Sequence, residues 1–496
     1  VHDASSPATA ASAASAGLPD PKRWGALVVI AIAQLMVVLD ASIVNIALPS
    51  MQADLGISDA DRQWVITAYT LAFGGLLLLG GRIADFAGRK RAFIIGLAGF
   101  AIASFLGGLA QTAGTLYAAR ALQGVFAALL APAALSLITV TFTDSRERAK
   151  AFGVYGALSG GGAAIGLVLG GILTEYASWH WTLLVNVPIA VVAILLAIPF
   201  VRESRATGDT KYDIPGAITA TLGLVSLVYG ITKAESEGWN GTQTIAFITA
   251  GLILLAVFLL IETRTSHPLL PMKILRNRNR AGAYLASFFV GIGLFAMFLF
   301  LTYFFQGVLG YSPLTSGLLF LPFSAGVIIS AGVASQLLPR FGPRWVTGAG
   351  FIMTVIGMLL LLRMNPTSAY LSDILPSLII ISLGMGLVFV PLSAVSLFAV
   401  GNHDAGVASA VLNTSQQIGG AIGVAFLNTI AASATAAYIV SNQLAGPTPD
   451  ALVAGFHRGF LWGAVILAVA GILWIVLVTM SKKDMAANDA PMAHVG

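Results

Sequence analysis

The sequence predicts an all-α polytopic membrane protein. Fourteen transmembrane helices form two six-helix bundles, spans 1–6 and 9–14, with spans 7 and 8 inserted between them. Three observations carry that prediction. First, the 496 residues are 57% hydrophobic and only 9% charged, with a mean hydropathy of +0.89. An average soluble domain is roughly 25% charged, and a soluble fold could not cover this much apolar surface. Second, fourteen apolar runs approach the length of about 20 residues needed to cross a bilayer, at about 25–48, 63–82, 92–110, 115–138, 151–174, 182–201, 215–232, 244–261, 283–305, 316–338, 345–362, 374–398, 407–432 and 458–480. Third, the loops alternate in charge. Of 26 Lys and Arg, 21 fall on the side that holds both ends of the chain; only Arg62, Lys233, Arg363 and Arg458 fall on the other, and Arg120 lies inside a span. An excess of Lys and Arg marks the cytoplasmic face, so both termini are expected there.

In chain order, residues 1–23 are rich in Ala, Ser and Pro and read as a disordered cytoplasmic tail. Lys22 and Arg23 follow that tail, whereas a signal peptide carries its bases ahead of a short apolar core. The N-terminal bundle takes 24–205, linker helices 7 and 8 take 206–265, the C-terminal bundle takes 266–480, and 481–496 form a second cytoplasmic tail. Gly and Pro inside the runs suit helices in lipid, and the weak alternating segments of a β-barrel are absent. Two echoes divide the halves. Gly88, Lys90 and Gly96 recur as Gly342, Arg344 and Gly350, and Gly161-Gly162-Ala-Ala-Ile-Gly166 recurs as Gly419-Gly420-Ala-Ile-Gly423. Repeated halves around a central cleft are the usual build of secondary transporters.

Several chemistries are excluded. With no cysteine there is no disulfide, thiolate metal site or Cys nucleophile. The six histidines lie outside the apolar interiors, so no metal centre is expected. No phosphate-binding G-x-x-x-x-G-K-S/T loop is present, so no nucleotide drives this chain. Acids and histidines are too scattered for a membrane-embedded transferase. The net charge of +5 is anchoring charge and does not imply a nucleic-acid partner.

Two charges lie deep in the apolar runs: Asp40 in span 1 and Arg120 in span 4. Each costs at least about 2.5–3.5 kcal/mol at a helix centre, and such groups are functional by default. At 1.5 Å per residue, Asp40 lies roughly 13 Å and Arg120 roughly 8 Å below the outer end of its span, close enough to meet across the bundle. Burial disfavours a charged carboxylate and a nearby cation favours it, so Asp40 is the candidate proton carrier and Arg120 its partner. After span 2, Gly80-Gly81-Arg82-Ile83-Ala84-Asp85-Phe86-Ala87-Gly88-Arg89-Lys90-Arg91 reads as a tight charged hinge. Asp85 is expected to pair with a base of its own loop, or with the start of span 13 near Ala405 and Gly406. In span 5, Gly162, Gly166 and Gly170 form a stripe extended by Gly171, suited to close helix contact. The stripe either serves tight helix packing alone or forms part of the interface that rocks or seals between the halves.

These residues together resemble the major facilitator superfamily, and within it the fourteen-span drug:proton antiporters. Gly81-x-Ile83-Ala84-Asp85-x-x-Gly88-Arg89-Lys90 is similar to the loop 2–3 motif, with Phe86 where a base is common. Leu116-x-x-x-Arg120-x-x-Gln123-Gly124-x-x-Ala127-Ala128 is similar to the span 4 motif, and Leu39-Asp40 through Asn45 to Pro49 to the span 1 signature. Gly162-x-x-x-Gly166-Leu167-x-x-Gly170-Gly171 resembles the antiporter motif, with Leu167 in the usual Pro position; Trp179-His180-Trp181 and Asn186-Val-Pro188 match the approach to span 6. The resemblance implies a monomeric multi-pass transporter of a bacterial plasma membrane. It is driven by the proton gradient without a cofactor, and its partners are small lipophilic substrates, protons and the bilayer. No acid is expected within the spans from 281 to 480, since Asp373, Asp404 and Asp450 fall in predicted loops. The substrate cleft is therefore assigned to Gln34, Asn45, Gln123, Tyr155, Tyr303, Gln306, Asn413, Gln416 and Gln417, which suit neutral or monocationic lipophilic molecules.

Overall fold

The computed structural model describes residues 21–59, 61–142, 144–205, 213–266, 268–270, 272–398, 400, 405–481 and 484. The tails at 1–20 and 485–496, and Asp404, lie outside them. The N-terminal half comprises α1 (Arg23–Leu55), α2 (Trp64–Ala87), α3 (Arg89–Gly108), α4 (Ala113–Thr141), α5 (Ser145–Tyr176) and α6 (Asn186–Phe200). Then come α7 (Ile214–Glu237) and α8 (Thr242–Arg264). The C-terminal half comprises α9 (Arg278–Tyr303), α10 (Leu321–Leu360), α11 (Leu375–Leu397), α12 (Ala405–Ser441) and α13 (Pro449–Leu477). No strand occurs among the described residues.

Among the described residues, twelve stretches are long and apolar enough to cross a membrane, against fourteen predicted. The difference lies in two places. Pro313–Arg363 counts as one stretch, although α10 leaves helical geometry at Gly342 (φ 78°, ψ 161°). Among the described residues of α5, the apolar stretch Gly162–Tyr176 falls short of that length.

Local chemistry sets the helix ends. Thr112 and Thr115 form a reciprocal capping box that starts α4. Asp213 caps α7 ahead of Pro215, and Thr448 caps α13 ahead of Pro449. Asp373 and Asp450, assigned to loops by sequence, instead sit in the π-helical turn Tyr370–Ile374 and the first turn of α13. Asp450 suits a helix N-terminus, where the exposed N–H groups favour an anion.

In lipid the apolar faces gain nothing by leaving hydrocarbon, so helices associate through close packing. Glycine supplies the proximity here. A Cβ on Gly80 would strike the Ala128 carbonyl and one on Gly124 the Tyr69 carbonyl, so α2 and α4 cross backbone to backbone. The halves repeat this construction at one offset. Gly96 faces Leu130 in the first half, while Gly350 faces Gly384 in the second. Gly88 (φ 118°) and Gly342 (φ 78°), also 254 residues apart, both turn the chain through a left-handed region.

Between the halves, α7 wedges against α2 and α12 through Leu71, Leu224, Val228, Ile231, Ala421 and Ala425. The second inserted helix, α8, packs mainly on α7, where Gly251 abuts Leu227 and Gly223.

Gly88 is the junction between α2 and α3, and a Cβ there would lie 2.8 Å from the Glu203 carboxylate. Gly88→Ala should therefore destabilise the fold by about 1–3 kcal/mol, the usual cost of a side chain held in a glycine-only backbone region. Thermal unfolding of the detergent-solubilised variant checks this.

Candidate functional site

At the centre of the N-terminal half, Asp40 is 0% and Arg120 1% exposed. The Arg120 Nη1 donates to Asp40 Oδ2 at 2.6 Å and to Gln123 Oε1 at 2.7 Å, and its Nε donates to the Val65 carbonyl at 2.9 Å. The other carboxylate oxygen of Asp40 accepts from Gln123 Nε2 and from Asn186 Nδ2, each at 2.9 Å. Gln123 also donates to Ser104 Oγ at 2.7 Å, and the guanidinium lies 4.5 Å from the Tyr69 ring centroid. Five helices, α1 to α4 and α6, thus converge on one carboxylate.

Each residue arrives by its helix register. Arg120 and Gln123 are three apart on α4 and so share a face. Asn186 stands at the first position of α6, just after the break that follows the short helix Trp181–Leu184. The planar guanidinium fork lets Arg120 reach a carboxylate, an amide and a carbonyl at once, which a lysine ammonium cannot reproduce in the same geometry. Three side-chain donors thus meet the two oxygens of Asp40. The Tyr69 hydroxyl and Asn186 Oδ1 are buried beside this group without partners.

At the end of α2, Asp85 binds Arg89 of its own loop, with Oδ1 2.8 Å from Nη2 and 2.9 Å from Nε. The side chains of Ala405 and Gly406, the alternative partner region, lie outside the described ones. Lys90 Nζ donates to the Ile198 carbonyl at 2.7 Å. The sequence reading missed Glu203, which caps α3 by accepting from the backbone of Lys90 (3.1 Å) and Arg91 (3.2 Å).

The glycine stripe packs mostly within one half. Gly162 faces Leu35 and Val38, Gly166 faces Leu39 and Ser42, and Gly170 faces Ile43. Three of its members therefore pack α5 onto α1 within one half. Gly171 alone meets the other half, at Pro313 and Leu314.

The seam between the halves is polar at one end. Arg62 is 6% exposed, donates to Asp59 and Asn428 at 3.2 Å each, and lies 3.8 Å over the Tyr303 ring. Tyr303 donates to Gln52, Gln306 donates to the Ile46 carbonyl at 2.9 Å, and the Leu314 N–H donates to Glu175 at 3.1 Å. Tyr303 and Gln306, assigned to the cleft by sequence, are thus engaged in this seam, and Gln123 belongs to the Asp40 cluster. Asn45 donates to the Ala41 carbonyl at 2.9 Å and Asn413 to that of Ser409 at 3.1 Å, each within its own helix. Gln34, Tyr155, Gln416 and Gln417 are half-buried, and Gln417 packs against Gly74.

The sequence profile of the Major Facilitator Superfamily matches residues 30–424. The chain belongs to that superfamily. It is a multi-pass membrane transporter and not an enzyme. It is 48% identical to a puromycin resistance protein of Streptomyces alboniger over 98% of this chain and 96% of that one. It is 37% identical to a cephamycin export protein of Amycolatopsis lactamdurans, covering 92% of this chain and 93% of that one. Among solved structures, a bacterial homologue of the human lysosomal transporter Spinster aligns over 96% of this chain and 100% of its own, at 17% identity and a TM-score of 0.66. That likeness is one of fold.

Removing one partner of a buried ion pair leaves an uncompensated charge, at a cost of about 3–5 kcal/mol. Arg120→Ala should lose stability on that scale, and Arg120→Lys should lie between it and the native chain. Thermal unfolding in detergent, compared across the three proteins, tests the ordering.

Proposed function

We propose that this transporter exports lipophilic or monocationic small molecules, antibiotics among them, out of a bacterial cell in exchange for protons. The single observation that carries the reading is the Asp40 cluster: a fully buried carboxylate whose charge is held by Arg120, Gln123 and Asn186. Such a group changes protonation only when helices carrying its donors move, which is what coupling to alternating access requires. The resistance and export functions of the relatives support efflux as the direction of transport. The same scaffold serves export of an antibiotic the cell itself makes, as the name of the cephamycin export protein suggests.

In this reading the chain crosses the plasma membrane fourteen times with both ends cytoplasmic. The break at Gly342 divides one long stretch, and α5 adds the remaining crossing. The Arg62 seam then lies at the outer face, and its bonds across the halves support an outward-closed state. Protons load Asp40 when the seam opens, release Arg120, and leave on the cytoplasmic side as the pair re-forms. The protein acts as a monomer with no cofactor.

Asp40→Asn keeps the shape of the side chain and removes its titration. In proteoliposomes it should abolish puromycin accumulation driven by a pH gradient, while puromycin binding persists. Full proton-driven accumulation by this variant would end the mechanism.

A second expectation concerns the seam. The native chain lacks cysteine, so a single Thr67→Cys on α2, one turn beyond Gln63 and fully buried, reports access cleanly. It should resist an impermeant thiol reagent added outside cells and become labelled when Arg62→Ala is added. Equal labelling with and without Arg62 would remove that residue from the seal.

A further inference from the structure

The polar end of the seam is a closed circuit of side chains around one cation. Arg62 stands in the turn before α2, 6% exposed, and its Nη1 donates to Asp59 Oδ1 at 3.2 Å. Gln52 of α1 donates to the same carboxylate oxygen at 2.7 Å and accepts from the Tyr303 hydroxyl of α9. The Tyr303 ring lies under the Arg62 guanidinium, whose carbon is 3.8 Å from the ring centroid. From α12, Asn428 Oδ1 accepts from Arg62 Nη2 at 3.2 Å, and Asn428 Nδ2 donates to the Asp59 carbonyl at 3.3 Å. Arg62 Nε is buried with no partner.

The circuit is divided between the halves. Gln52, Asp59 and Arg62 belong to the N-terminal half, and Tyr303 and Asn428 to the C-terminal half. When the halves part, both formal charges leave together. The C-terminal half keeps an aromatic face and an amide oxygen, each stripped of its partner. Tyr303 is 9% and Asn428 0% exposed, and neither α9 nor α12 carries an Asp or Glu. A ring face attracts a cation through its quadrupole. A buried amide oxygen is costly until a donor reaches it. Together they suit an organic cation with N–H donors, which sheds its water more readily than a compact inorganic ion.

The geometry points to a cation-receiving site on the C-terminal half: the Tyr303 ring and Asn428 Oδ1, filled here by Arg62, take the guanidinium, amidinium or ammonium group of a lipophilic monocation when the seam opens. Arg62 is then an internal competitor, and its return on closing displaces the substrate cation. A second positive charge finds no carboxylate on α9 or α12. The inference rests on the reading of this chain as an exporter of lipophilic monocations, and adds the place where such a molecule meets the seam.

Equilibrium dialysis of octylguanidinium, and of its uncharged isostere octylurea, against the purified full-length chain in detergent tests it. Arg62→Ala should bind octylguanidinium more tightly than the native chain does, with octylurea unchanged. Adding Tyr303→Leu should then weaken octylguanidinium binding by about two- to thirtyfold, the worth of a cation on an aromatic face, whereas adding Tyr303→Phe should keep it. Thermal unfolding checks that each variant folds, and the shorter, uncharged Arg62→Gln replaces Arg62→Ala if that one does not. An equal gain for octylurea would mean that removing Arg62 only opens an apolar space, and would overturn the site. So would a gain that survives Tyr303→Leu, or the absence of any gain once Arg62 is replaced. Dialysis needs no proton gradient, so a negative result leaves the Asp40 mechanism standing, and full proton-driven accumulation by Asp40→Asn leaves this site standing.

Discussion

The ion pair between Asp40 and Arg120 is the constraint on which the N-terminal half depends. A charge in hydrocarbon is tolerated only when its partner and its hydrogen bonds are supplied by the protein. Satisfying this one carboxylate brings α1 and α4 together, draws in Asn186 of α6 and Ser104 of α3, and holds α2 through the Val65 carbonyl. Apolar packing in a bilayer has little directional preference, because lipid tails are as apolar as leucine. The polar centre therefore specifies which faces of these helices turn inward.

Around that centre, glycine decides how near the helices come. The α2–α4 and α1–α5 crossings are both made by backbones meeting at glycine. The second half repeats the device: Gly419 meets the Phe288 backbone and Gly423 meets Ile292, joining α12 to α9. Close backbone contact within each half makes it a stiff body. Between the halves, glycine backbone contacts occur at Gly171 against Leu314 and Gly317 against Leu167, and long polar side chains such as Arg62, Tyr303 and Gln306 also reach across.

The inserted helices occupy an intermediate position. Through α7 they touch both α2 and α12, so packing couples them to elements of both halves. They therefore act as more than a tether.

The sequence by itself determined the helical membrane class, the motif positions and the two deep charges. A charged residue interrupting an apolar run is visible in one dimension because hydrocarbon excludes it so strongly. The equivalence of Gly88 and Gly342 was legible for a similar reason: only glycine adopts that backbone, so the residue type betrays the turn. What the sequence did not show was the company each charge keeps. Ser104 and Asn186 are ordinary neutral residues in a membrane helix, with nothing local to mark them as partners of Arg120 and Asp40. Arg62 reads as a loop base until its neighbours on α9 and α12 bury it. The stripe at 162–170 predicted close contact but not which helix would supply it. Helix register chooses the face a side chain occupies, but only the assembled bundle decides which other faces it meets, and those meetings set burial, hydrogen bonding and charge.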